Sequence, residues 1–405
     1  MIINDMKVEV VSRDTIKPSC STPNHLRTLN LSFLDQLAPS IYVPLIFFYT
    51  NNGRHNNKME ACSHDVLKKS LSETLTRYYP LAGRIKDNSS IIDCNDEGVH
   101  NSEARISHKI ADASSFITFI NDWAATARGA IEQIKSPSFE DLPSLFPQRD
   151  LMGFKPESII TNRGEKIVAK KFLFRDSKIA ELKKKSMITG CHHVDDVQEY
   201  PTRVEALSAL IWRCFMDVNQ GKEEGASSAA AGVRVYGVVH GVNMRTRMVP
   251  PLPTNSIGNM YNVAIALSDV SDNADDDDDQ GEQDYHQYSN LVAKIRDAIK
   301  RIDDKQVREL QTTDAFLNCM KQVTEYITSS QAVLLYFTSW CRFPIYEADF
   351  GWGKPIWVTM CKSPIKNVVW LVDTSSGEGI EALVSLTKED MAKFESHEKL
   401  LAFIS

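Results

Sequence analysis

Three prolines in one irregular stretch, Pro143, Pro147 and Pro156, cut this 405-residue chain into two blocks. Proline lacks a backbone N–H and fixes φ, and the three together mark residues 141–162 as a long irregular connection. On both sides, strand-like and helix-like patterns can be picked out. A chain of this length buries a sizeable core and is expected to form two domains. The expected organisation is an N-terminal domain over 1–140, a crossover over 141–164 and a C-terminal domain over 165–405.

Within the first block, residues 7–11 alternate as a strand. Residues 63–75 carry apolar positions at helical spacing, with Ser63 as N-cap. Pro80 stops that helix and Gly83 opens a turn. Residues 91–94 read as a short strand and 113–123 as a helix, which places His108 at a strand end and Asp112 at a helix start. In the second block, 170–174 reads as a strand and 176–185 as a helix with basic residues in its last turns. Thr202 and Glu205 form a capping box that starts a helix through Phe215. Further expectations are a buried strand over 237–244, one long helix over 288–311, strands over 368–374 and 381–386, and a final helix from Lys388.

Composition excludes several classes. Hydrophobic residues make up 42% and charged residues 24%, ordinary for a soluble protein. A net charge of −7 argues against general nucleic-acid binding. Part of that charge is the run Asp275 to Asp279, a solvated loop without the ligand spacing of an EF-hand. Eight cysteines include no C-x-x-C pair, so a metal site is not expected and free thiols in a reducing, cytoplasmic setting are. No signal pattern or bilayer-length apolar run is visible, so no membrane contact is expected.

Two motifs carry chemistry. His108 and Asp112 stand four positions apart in Ser107-His108-Lys109-Ile110-Ala111-Asp112. Imidazole titrates near neutrality and suits a general base, and a nearby carboxylate can fix its orientation, directly or by bracing the loop. Farther on comes Asp349-Phe350-Gly351-Trp352-Gly353, whose two glycines and aromatic pair suit a tight, packed turn. A second H-x-x-x-D match, His192 to Asp196, lies in a polar, loop-like context where a base would be exposed. No G-x-S-x-G nucleophile elbow and no Walker-type loop is present.

Together these motifs resemble the plant acyl-CoA-dependent acyltransferases known as the BAHD family, most widely its alkaloid O-acetyltransferase branch. Leu31-Ser32-Phe33-Leu34-Asp35-Gln36, Tyr79-Pro80-Leu81-Ala82-Gly83-Arg84, Asn243-Met244-Arg245-Thr246-Arg247 and Thr338-Ser339-Trp340 also have family counterparts in the same order. The resemblance implies two similarly folded α/β domains with mixed sheets and flanking helices, chloramphenicol acetyltransferase-like, with a solvent channel between them. It implies transfer of an acyl group, acetyl first, from acyl-CoA to a hydroxyl of an alkaloid-like plant metabolite. Larger acyl groups and amine acceptors are the alternatives. Acyl-CoA would be a co-substrate, with no permanently bound cofactor, and the protein a cytoplasmic monomer.

By the same resemblance His108 is the base, and Asp112 points away from the pocket to pair with an arginine, Arg245 before Arg247. Thr338 and Trp340 are oxyanion-donor candidates, because a hydroxyl and an indole N–H both donate hydrogen bonds. Asp349, Gly351, Trp352 and Gly353 are structural. Ser256 and Asn259 would bond the pantetheine arm, with Lys300 and Arg301 as weaker phosphate candidates.

The chain departs from the family in one place. Relatives carry several dozen residues between the segment matching Gly98-Val99 and the histidine, including two strands. Here eight residues separate Val99 from His108. Loss of those strands would expose sheet edges and could leave His108 on a loop. A second expectation follows: a catalytically impaired member that keeps part of the fold and acts as a binding protein.

Overall fold

The structure, a computed structural model, describes residues 14–50, 57–86, 90–100, 106–156, 165–185, 200–220, 235–269, 280–312, 314–329, 332–360 and 365–404. The strand expected over 7–11, the His192 motif and the acidic run fall outside the described residues. Two compact units emerge. The first comprises Met1–Asp150, Pro253–Asn259 and Pro344–Cys361, and the second comprises Leu151–Leu252, Met260–Phe343 and Lys362–Ser405.

In the second unit, the described strands form one mixed six-stranded sheet. Its order is Ile167–Arg175, Gly379–Thr387, Val368–Asp373, Ala332–Ser339, Val235–Asn243 and Tyr261–Asp269. Ala332–Ser339 runs parallel to both its neighbours, while the outer pairings are antiparallel. Helix Arg203–Gln220 is buried along nearly its whole length. Its sequence is apolar around most of its circumference, as a helix inside a core requires. Trp212 and Cys214 are fully buried there, in one cluster with Phe174, Tyr236, Leu335 and Phe394. The expected capping box forms, with Glu205 N donating to Thr202 Oγ at 3.1 Å and Thr202 N to Glu205 at 2.8 Å. The buried Glu205 is also paired with Arg296 at 3.0 Å.

The first unit is built differently. Helices Asn57–Arg77 and Ala113–Ala127 pack together, joined by Trp123 Nε1 donating to Ser70 Oγ at 3.0 Å. Its described strands form three small sheets. Thr28–Asn30, Ile91–Asp93 and Arg84–Lys86 make one, Leu45–Phe48 with Trp357–Met360 a second, and Thr15–Ile16 with Val99–His100 a third.

Three expectations need correction. The segment bearing Asp349 to Gly353 belongs to the first unit, although 165–405 was expected to be one domain. The cause is strand pairing across the chain: Trp357 lies opposite Phe48, and their rings stack at 4.7 Å. The single helix over 288–311 is two, Gln280–Lys300 and Asp304–Thr312. Asp303 separates them by accepting from Gln306 N at 2.8 Å, the bond of an N-cap. The helix expected from Ser63 starts earlier, at Asn57.

Candidate active site

His108 sits on a turn, and of the described residues just before it Ser107 makes a single bridge with Tyr42. The turn is held by main-chain bonds: His108 N donates to Ile41 O at 2.8 Å, and Ile110 N to Ser107 O at 2.9 Å. Lys109 is buried and its Nζ donates to Gln36 O at 2.8 Å. A lysine this enclosed is committed to the fold and not to solvent.

The imidazole titrates below its ordinary value because burial disfavours its charged form. Its own backbone carbonyl, the Asp112 carboxylate and the Asn259 side chain oppose that shift electrostatically. The balance leaves a neutral imidazole at physiological pH, as a general base requires.

Asp112 is buried and caps helix Ala113–Ala127, its Oδ1 accepting from Ser115 N at 2.9 Å. Asp112 N approaches Gly258 O at 3.4 Å. Ser115 Oγ donates to Gly258 O at 2.9 Å and accepts from Gly258 N at 3.1 Å. This exchange binds the segment 253–259 to the start of the helix. Gly258 has φ +139°, and a Cβ there would come within 2.7 Å of Leu142 Cδ2 and 3.4 Å of Asp35 Oδ1. Only glycine fits.

Asn259 and Ser256 do not stand where the sequence suggested. Both are fully buried. Asn259 Nδ2 donates to His108 O at 2.7 Å and to Asp35 Oδ1 at 2.8 Å, and its backbone N donates to the same Oδ1 at 2.7 Å. Ser256 Oγ donates to Asp141 at 2.5 Å. The Ser256 hydroxyl and the Asn259 amide nitrogen thus donate to groups of the protein.

Asp35 is the residue sequence reasoning passed over. It stands in the motif beginning at Leu31 but received no role. Its carboxylate accepts from Ser32 N at 3.0 Å and Ser32 Oγ at 2.6 Å, completing a capping box on the short helix Phe33–Leu37. Burial pushes its carboxyl up to about 6, against the opposing pull of the bonds from Ser32 and Asn259. The Ser-x-x-Asp pattern signals the cap. Nothing local signals that the same carboxylate reaches Asn259.

The motif from Asp349 is a packed turn, as its composition suggests. Asp349 Oδ1 accepts from Gly351 N at 2.8 Å and Gly353 N at 2.9 Å, with both glycines at positive φ. Phe350 stacks on Trp352 and meets Trp123 edge-on at 5.0 Å. Arg128 Nη1 donates to Asp349 O at 2.8 Å.

In the second unit, Arg245 is buried and its N–H donates to Asn243 Oδ1 at 3.0 Å. Arg247 donates to Ile299 O at 2.9 Å and Ile302 O at 2.6 Å, satisfying carbonyls at the end of helix Gln280–Lys300. Trp340 Nε1 donates to Thr338 Oγ1 at 3.1 Å, and its ring meets Trp370 edge-on. Among the described residues no group of three His, Cys, Asp or Glu side chains could hold a metal ion. No described helix is long and apolar enough to cross a membrane.

Known proteins give this geometry a context. The family model described as Transferase family matches residues 6–106 and 104–401, in two pieces that meet just before His108. Akuammiline synthase 1 of Alstonia scholaris is 33% identical, over 98% of this chain and 97% of its own length. Stemmadenine O-acetyltransferase of Catharanthus roseus is 32% identical over 96% of each, and limonoid 1-O-acetyltransferase of Citrus sinensis 34% over 99% of each. The crystal structure of vinorine synthase superposes with a TM-score of 0.75 at 29% identity, covering 98% of both chains. A Fusarium TRI101 structure complexed with coenzyme A shares the fold at 16% identity. With a histidine of lowered pKa on its braced turn and relatives matched over nearly their full length, the chain belongs to the Transferase family, the BAHD acyl-CoA-dependent O-acyltransferases.

Proposed function

We propose that this chain transfers an acetyl group from acetyl-CoA to a hydroxyl of a plant alkaloid or limonoid, with His108 as general base. The observation that carries this reading is the His108 turn. Its imidazole is kept neutral by burial while its backbone is tied to Ile41 and Asn259. In the reaction, the imidazole takes the acceptor's proton as its oxygen attacks the thioester carbon. The C–S bond then breaks, and the imidazolium returns the proton to the CoA thiolate. Because the thioester is already activated, no covalent enzyme intermediate is needed. The relatives' activities, stemmadenine and limonoid O-acetylation, support acetyl transfer to a hydroxyl.

A second reading has its own observation. The family match breaks at residues 104–106, directly before His108. A chain impaired there would bind co-substrate without turning it over. One assay separates the two: release of free CoA from acetyl-CoA with a panel of alkaloid and limonoid alcohols. Turnover that falls about 10²–10⁴-fold in His108→Ala supports the enzyme. Soluble protein whose melting point rises with CoA, yet which never turns over, supports the binding protein.

A further inference from the structure

The histidine turn is held by side chains as well as by main-chain bonds. We propose that Asp35 and Asn259 act as a positioning pair for His108: Asp35 clamps Asn259 through two hydrogen bonds, and Asn259 fixes the His108 carbonyl and, through it, the imidazole. The inference rests on His108 being the base, and it replaces the expected co-substrate role of Asn259.

Three independent features converge. Asn259 is fully buried, and Asp35 Oδ1 receives both its backbone and its side-chain N–H groups, at 2.7 and 2.8 Å. With the amide so fixed, its remaining N–H points at one acceptor, His108 O at 2.7 Å. Asp35 is itself immobilised, because its second oxygen accepts two bonds from Ser32 at the head of a buried helix. Gly258, in a conformation closed to other residues, lets residue 259 approach Asp35. The imidazole hangs from the Cα beside that carbonyl, so moving the carbonyl moves the imidazole. Such a chain acts through geometry: a displacement of about 1 Å at a reacting group costs about 10²-fold in rate.

The test uses the full chain with isotope-labelled histidine, the His108 resonance being assigned by its loss in His108→Ala. Asp35→Asn and Asn259→Ala are compared for kcat, KM for acetyl-CoA, and the His108 titration midpoint, each per folded protein. We expect Asn259→Ala to lower kcat about 10²-fold with KM unchanged and to move the His108 midpoint. Asp35→Asn, which keeps the volume and one acceptor, should move both in the same sense by less. If Asn259→Ala does not fold, Asp35→Asn alone decides. A folded variant with wild-type kcat and His108 midpoint overturns the proposal. So does a raised KM with unchanged kcat, which would return Asn259 to the co-substrate. Turnover surviving in His108→Ala overturns the base assignment instead, while the His108 resonances in the other variants still report positioning.

Discussion

The two units solve the burial problem in opposite ways. The second closes its described strands into one six-stranded sheet and lays an almost wholly buried helix against a continuous apolar cluster. The first spreads its described strands over three small sheets, and the residues around His108 are joined by buried polar bonds, Asp35 to Asn259, Ser115 to Gly258 and Lys109 to Gln36. Apolar burial is non-directional and tolerates sliding, whereas a hydrogen-bonded network fixes distances and fails when one member is lost. The unit with the larger sheet holds the continuous apolar cluster, and the unit with the polar network carries the proposed base. That division suits a family in which one architecture serves many acceptors, since function belongs to sites grafted on folds.

The sharpest break of this comparison is a large core deletion in the second unit. Trp212 is fully buried, so Trp212→Ala should cost about 3–5 kcal/mol, read as a fall in the calorimetric midpoint. Activity per folded molecule should be unchanged, because the deletion touches no residue of the His108 turn. A selective loss of kcat at equal folded fraction would show that the units do not divide their tasks in this way.

Acid should pull the units apart. His240 lies buried in the second unit, stacked on Phe337, and burial drives its pKa down to about 3. The unfolded chain binds that proton near the ordinary value of 6.5. The folded unit therefore has its full His240 contribution above 6.5 and loses it as pH falls toward about 3. Asp35 in the first unit runs the other way. Its pKa is raised from 3.8 to about 6, so its contribution is full below 3.8 and is lost as pH rises through about 6. Unfolding curves at pH 7, 6, 5 and 4 should show His240→Phe flattening the acid decline and Asp35→Asn removing the opposing gain. Coincident pH profiles of both variants with wild type would sink the contrast. On the activity side, the depressed His108 pKa places the acid limb of kcat/KM below 6.5.

Gly258→Ala comes next in size. A methyl there meets Leu142 at 2.7 Å and must hold φ at +139°, strain worth about 1–3 kcal/mol, and Leu142 can relieve only the contact. The same change at Gly153, also at positive φ but with no atom within 4 Å, should cost less. Chemical denaturation of both variants checks the difference.

How much of this was readable beforehand depended on distance along the chain. The helix Arg203–Gln220 announces itself by its capping box and near-continuous apolar run, and Asp176–Lys185 by its charge gradient, because both signals are local. The tight turn at Asp349 is equally legible from its glycines and aromatics. What stays hidden is pairing between remote segments. Trp357 opposite Phe48 moves the Asp349 motif into the first unit, and Asp35 meets Asn259 across 224 positions. A side chain's role also reads wrongly when its partner is unseen. Ser256 and Asn259 read in sequence as donors to a pantetheine arm, and the protein partners their donors reach, Asp141, Asp35 and the His108 carbonyl, are all remote in sequence. The break between Lys300 and Asp304 was missed because a capping aspartate inside a long helical pattern looks like one more surface charge.

The smallest expected effect gives the finest test, because it matches like with like across the two units. Asp112 caps helix Ala113–Ala127 by accepting from Ser115 N at 2.9 Å, and Thr387 caps Lys388–Glu395 by accepting from Asp390 N at 3.2 Å. Removing either side chain leaves one helix-end N–H unsatisfied and should cost about 1 kcal/mol. Asp112→Ala should cost somewhat more, since a buried carboxylate has other partners to lose. The consequences for turnover should diverge. Asp112 is four positions from His108 and lies against Gly258, so loosening it loosens the segment that carries Asn259. The Thr387 side chain bonds its own helix start, and its backbone pairs with Ile167, away from the His108 turn. Compared at equal folded fraction, Asp112→Ala should therefore lose kcat and shift the His108 titration, while Thr387→Ala keeps both. Equal losses of kcat in the two variants would mean that turnover follows global stability, and the separate role argued for the polar network would fall.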